Sequence, residues 1–257
     1  MLTPPEIARS LLAVGESKAR LPFGKMLLLA ILAGAYIALA GVGATAAAVT
    51  VESGSLAKLL SACVFPAGLS MVILAGSELF TGNCLMVMAL LERRITPVQL
   101  LRNWLTVYLG NAVGGAAVAA LAVYSHTASL FGDGLARSMV SIAESKAALG
   151  AGDGFLRGVL CNFLVCLAVW MAAASKRAEG KVIALFFPIL LFVLCGYEHC
   201  IANLYYLPAG AFAAAEYGVE TTLTLAGCLE NLAAVTLGNL VGGAALGVGY
   251  RFAYLKE

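Results

Sequence analysis

The sequence predicts an all-α integral membrane protein: six transmembrane helices in two inverted three-helix repeats, with the second and fifth helices broken. Three observations carry that reading: the composition, an internal repeat, and a one-sided distribution of Lys and Arg. Of 257 residues, 61% are hydrophobic and 12% charged, and the mean hydropathy is +0.94. Apolar runs of about 18 residues or more read as membrane spans, and they recur at roughly 25–50, 57–91, 103–125, 154–175, 181–211 and 223–252. A net charge of +2, with no clustered basic patch, excludes a nucleic-acid partner; the partner surface is membrane lipid.

The first element precedes the spans. Thr3-Pro4-Pro5-Glu6 has the order of a helix N-cap, a proline near the first helical position and a glutamate at N3. Ile7, Leu11, Leu12 and Val14 then alternate with charge, which predicts an amphipathic helix over 1–22 lying on the membrane. It is not a cleavable signal, because the apolar run after Lys25 is too long for a signal core. The remaining organisation is a first repeat over 23–126, an extracytoplasmic connection over 127–153 and a second, inverted repeat over 154–257.

The second and fifth spans exceed one simple crossing, and each holds a proline, Pro66 or Pro188, and a polar cluster, GSELFTGN (76–83) or GYEHCIAN (196–203). These clusters are repeat mates. Gly76/Glu78/Asn83 recurs as Gly196/Glu198/Asn203 at an offset of 120, and LGNAVGGAA (109–117) recurs as LGNLVGGAA (237–245) at an offset of 128. Three spans per repeat is an odd number, so the second repeat enters the membrane upside down and brings the two breaks face to face. Freed backbone is tolerated at that depth only where it lines a cavity or is buried in protein. Glu78 and Glu198 are accordingly read as structural groups at the breaks. His199 faces no histidine in the first repeat, where Leu79 stands; an unmatched imidazole that titrates near neutral pH is a path-lining residue. His126, in a loop, is read as solvated.

Lys and Arg set the orientation. Twelve of them (Arg9, Lys18, Arg20, Lys25, Arg93, Arg94, Arg102, Lys176, Arg177, Lys181, Arg251, Lys256) fall on one side and four (Lys58, Arg137, Lys146, Arg157) on the other. Both termini are therefore expected on the cytoplasmic side of the membrane. The seven cysteines lie almost all in apolar runs and form no CxxC. Cys84, Cys200 and His199 make a poor ligand set, so no metal or other cofactor is expected. Nor is an enzyme: Ser70 and Ser77 lack an elbow motif, and GVGATA (41–46) has no strand before it.

The segments GSELFTGN, NWLTVYLGNAVGG, RGVLCNFLVCLAVW, GYEHCIANLYYLP and VTLGNLVGG, in this order from about residue 20 to 250, strongly resemble the formate/nitrite transporter family. The resemblance implies a homopentamer of aquaporin-like protomers, each passing small monovalent anions (formate, nitrite or hydrosulfide) through its own path. It makes His199 the central histidine and Thr81 the threonine of the loop that interrupts the second helix. It puts Lys146 on the lysine of the third-to-fourth connection and matches Asn162 and Asn203 to family positions. It suggests Phe65 and Leu69 as one constriction and Phe192 as part of the other. Lys146 would gather anions, and His199 would protonate the substrate or favour it electrostatically, so that protons are a partner of transport. The GYEH form resembles nitrite members, whereas GSELFTGNC and YYLP resemble the formate or hydrosulfide branch; the aromatic constrictions favour formate. Glu230 has no fixed family counterpart.

Overall fold

The structure, a computed structural model, describes residues 1–256, which are all-helical with no strand among them. Helix α1 (Pro4–Ala19) starts as its sequence dictates: the Glu6 carboxylate accepts from the Thr3 N–H at 2.7 Å and from its hydroxyl at 2.8 Å. Its apolar face, expected to meet lipid, meets protein instead. Ile7, Ala8 and Leu12 are buried in a cluster with Met86, Met88 and Ala89.

Helix α2 (Phe23–Ala48) is followed by α3 (Gly54–Val64) and α4 (Pro66–Ala75), which run through Phe65 without leaving helical geometry. Pro66 does not break this pair. It occupies a first-turn position, where its missing N–H leaves nothing unsatisfied. The chain leaves helix only at the polar cluster: Gly76 ends α4 at φ +79°, residues 77–79 are non-helical, and α5 (Phe80–Asn83) resumes. A 3-10 turn at Cys84–Met86 leads into α6 (Val87–Leu91). Helix α7 (Pro97–Tyr124) begins six residues before the hydropathic boundary at 103, because a Thr96–Gln99 capping box sets its start.

The connection over 127–153 is largely helical, with α8 at Gly134–Ala147. Then come α9 (Ala151–Ala173) and α10 (Ala178–Leu194), the latter continuing through Pro188. Gly196 turns the chain at φ +69°, residues 197–199 are non-helical, and α11 (Cys200–Tyr217) and α12 (Leu225–Tyr254) complete the fold. The positive φ at Gly76 and Gly196 falls where a Cβ would be strained. Phe23–Ala48, Gly54–Ala75, Pro97–Tyr124, Ala151–Ala173 and Leu225–Tyr254 are long and apolar enough to cross a membrane.

The halves repeat their packing. Helix α2 lies along α7, and α9 lies along α12. A Cβ on Gly114 would overlap the Ile31 carbonyl, and one on Gly242 the Val159 carbonyl, so both glycines let backbones touch. A core of Ala33, Ile37, Phe65, Leu69, Val165, Ile189 and Phe192 surrounds the place where the two breaks meet.

Candidate functional site

Each break frees buried backbone groups, and one asparagine restores them. The Asn111 side chain accepts from the Phe80 N–H at 3.0 Å and donates to the carbonyls of Ala30 (2.7 Å) and Glu78 (2.9 Å). Its mate Asn239 accepts from the Cys200 N–H at 2.9 Å and donates to Gly158 (2.8 Å) and Glu198 (2.9 Å). Asn162, fully buried, ties the halves together by donating to the carbonyls of Thr81 (3.2 Å) and Asn239 (2.7 Å).

The two acids sit in matching networks. Lys18 Nζ lies 2.8 Å from Glu78 Oε1 and 2.8 Å from Asn83 Oδ1. Asn83 donates to Glu78 and to Asn103, and Asn103 donates back to the Lys18 carbonyl. In the second half, Lys146 Nζ lies 2.9 Å from both oxygens of Glu198, and Asn203 donates to Glu198 and Asn231. Asn231 donates to the Lys146 carbonyl. Helices α1 and α8 are therefore equivalent: each delivers a lysine to the carboxylate of a break. Reading 1–22 and 127–153 as an appended helix and a connection missed Lys18 as a site residue. The legible signal was ESKA, which stands at 16–19 and again at 144–147, offset by 128 like the asparagines.

His199 is the N-cap of α11. Its Nδ1 accepts from the Ala202 N–H at 3.2 Å, and its Nε2 lies 2.9 Å from Thr81 Oγ1. An acceptor at Nδ1 requires the tautomer with its proton on Nε2, which then points at Thr81. Thr81 is fully buried behind the ring and His199 is 3% exposed. Of the residues expected in the path, His199, Lys146, Phe65, Leu69 and Phe192 line cavities, whereas Thr81, Asn162 and Asn203 stand behind the wall.

A cavity of about 460 Å³ opens on the side of α1, lined by Lys18, Leu69, Glu78, Leu79 and Lys181 among others. A distal cavity of about 360 Å³ is lined by Lys58, Phe65, Lys146, Arg157, Phe192, Glu198 and His199 among others. Between them a space of about 10 Å³ touches Phe65, Leu69, Leu79, Phe192 and His199, room for one water at most. The constrictions are grouped differently from the expectation. Phe65 packs edge-on against Phe192, with centroids 5.7 Å apart, and both face the distal cavity. Leu69 instead pairs with Leu79 toward the α1 side. Facing breaks bring residues of opposite halves into one layer, so neighbours in sequence are split between the two mouths. Glu230 is exposed on α12 and lines neither cavity.

Two cation-bearing cavities separated by a thin apolar layer at facing chain breaks, inside a bundle of membrane-length helices, define a membrane channel or transporter. The chain belongs to the formate/nitrite transporter family, whose profile matches residues 5–253; its members are channels and transporters, not enzymes. It is 38% identical to a probable formate transporter of Methanothermobacter thermautotrophicus, over 99% of this chain and 98% of that one. It is 39% identical to the formate channel FocA of Haemophilus influenzae, over 86% and 83% respectively. Among solved structures, an FNT family ion channel superposes with a TM-score of 0.86 at 32% identity, covering 96% of this chain and 98% of that one. A pentameric formate channel with formate bound superposes at 0.81, also at 32% identity, covering 91% and 98%.

Proposed function

We propose that this chain passes small monovalent weak-acid anions, formate first, through a path in each protomer of a homopentamer. Six crossings in two inverted repeats carry the path across a prokaryotic cytoplasmic membrane, with both termini inside. The observation that carries the reading is the hydrogen bond between Thr81 and His199 at the apolar layer, where His199 is the one ionisable side chain lining the central space among the described residues. Relatives named as formate transporters and channels support formate as the cargo.

A bare carboxylate entering a layer of Phe and Leu loses its hydration, at a cost of several kcal/mol per ion even after relaxation. The neutral acid avoids most of that cost. Lys146 and Glu198 make the distal mouth polar, and the anion takes its proton as it leaves water. The neutral imidazole cannot supply that proton, since losing the Nε2 hydrogen would leave an imidazolate. Becoming imidazolium first would put a hydrogen on Nδ1, against the Ala202 N–H, and forfeit the cap of α11. His199 therefore acts as a neutral donor: its Nε2–H is shared between Thr81 and the passing oxygen, so that the ring keeps its orientation and its Nδ1 stays on the Ala202 N–H. Asn162 and Asn203 position the breaks.

The test is influx of formate, nitrite and hydrosulfide into proteoliposomes, from about pH 5 to 8, the window in which an imidazole titrates. His199→Gln, which keeps a neutral N–H, is expected to retain substantial formate flux, whereas His199→Ala loses it. Equal loss in both would make the imidazolium essential. Flux no faster than into empty liposomes for all three anions would end the transport reading.

A further inference from the structure

Lys146 is the lysine that the sequence points to as the gatherer of anions, yet its charge is already spent. Its ammonium grips both oxygens of Glu198 at 2.9 Å and lies 5.3 Å from the centroid of the Tyr206 ring. Only 15% of its side chain is exposed. Releasing it to an incoming anion would leave Glu198 buried and unpaired, which is costly. The cavity wall holds another ammonium that no carboxylate pairs with among the described residues. Lys58, on α3, is exposed and makes no ion pair or side-chain hydrogen bond among the described residues. Its Nζ lies 4.0 Å from where a Cβ of Gly196 would stand, so the charge reaches the left-handed turn that opens the second break. Arg157, exposed and likewise without a carboxylate partner among the described residues, lines the same cavity. The break places its backbone beside Glu198, whose N–H donates to the Arg157 carbonyl at 3.4 Å.

We propose that Lys58 is the capture site of the distal cavity for the small monovalent anion, with Arg157 adding to its field, and that Lys146 is a fixed counter-charge to Glu198. This rests on the transport reading above. The cargo pairs with Lys58 at the turn, two residues ahead of Glu198 and three ahead of His199, and moves from there onto the Phe65–Phe192 layer. The mouth needs one free cation for this and one neutralised pair, which is how the two lysines divide. An exposed ammonium near a helix start could instead serve a lipid phosphate; that is the rival outcome.

Initial formate uptake into proteoliposomes, across a range of formate concentrations, tests it with the full chain and Lys58→Gln, Lys58→Glu and Lys58→Arg. A unit charge at contact distance in water is worth a factor of about five. Lys58→Gln is therefore expected to raise the half-saturating formate concentration about fivefold. Lys58→Glu should raise it further, and Lys58→Arg should restore it, all with the maximal rate held within about twofold, since a field at the mouth acts on encounter rather than on passage. Added salt should weaken the wild-type affinity and leave Lys58→Gln nearly unaffected. An unchanged half-saturation in both Gln and Glu variants overturns the capture site and leaves Lys58 a lipid-facing charge. A lost maximal rate that Lys58→Arg does not restore overturns it in favour of a structural role. Wild-type flux equal to empty liposomes overturns the transport reading, and the capture site with it.

Discussion

Asn239 serves three backbone groups at once, accepting from Cys200 and donating to Gly158 and Glu198. Truncation would orphan all three with no water to take over, each worth about 1–3 kcal/mol when buried and unsatisfied. Asn239→Ala should therefore lower the thermal midpoint in detergent sharply, and a shift as small as that of a surface substitution would remove Asn239 from this role. Glu198→Gln should cost about 3 kcal/mol by leaving Lys146 unneutralised. Adding Lys146→Met should recover much of that loss, a coupling that a double-mutant cycle in the same melting assay reads directly. The asparagines were visible in the sequence as a repeated LGN, but their role was not. It depends on which carbonyls come to lie opposite, and those of Ala30 and Gly158 are 81 residues away.

Among the elements, α1 and α8 changed most between expectation and structure. Hydropathy marked α1 as a surface helix and 127–153 as a connection, because both are too polar to be spans. Their function is set by one lysine each, held by facing asparagines. Helix α8 is also tied to the chain ahead of α12. Glu144 accepts from the Thr222 N–H at 2.6 Å and from the Thr221 hydroxyl at 2.9 Å. Those bonds, the Thr222 backbone first, hold its carboxyl below the ordinary carboxylate value. A depressed folded pKa gives a contribution present above the unfolded value and lost as pH falls through the folded one. Protection of the amides in 218–224 against hydrogen exchange, taken relative to the intrinsic rate at each pH, should accordingly fall on acidification below the usual carboxylate range, and Glu144→Gln should show the lower protection already at neutral pH. Identical exchange in wild type and variant at neutral pH would exclude the tie. Pro66 and Pro188 both sit within helical runs, and the breaks fall at Gly76 and Gly196.

For the whole molecule, the near-symmetry of the halves matters most where it fails. Leu79 and His199 are repeat mates, and both touch the central space. The layer therefore offers a donor from one half only, while the other half supplies the Leu69–Leu79 side of the seal. Under the function proposed above, such a path passes a neutral acid more readily than its anion. Formate influx should rise as external pH falls, by about tenfold per unit where the acid is the minor species, and His199→Gln should keep that slope. Influx that ignores pH while tracking membrane potential would mean the bare anion crosses.

The sequence alone determined that the chain is a helical membrane protein, that its halves are related, and that the breaks lie at GSELFTGN and GYEHCIAN. These follow from composition and spacing, which are local quantities. It also singled out His199, because a lone histidine in an apolar run is conspicuous on any reading. Only the tertiary structure decided that Lys18 and Lys146 each meet the carboxylate of a break, that Phe65 packs on Phe192, and that Lys146 is paired with Glu198 while Lys58 makes no ion pair among the described residues. Each of those is a pairing between residues far apart in the chain. Which charges cancel and which remain is fixed by distances of a few ångströms, and these exist only once the two breaks have been brought face to face.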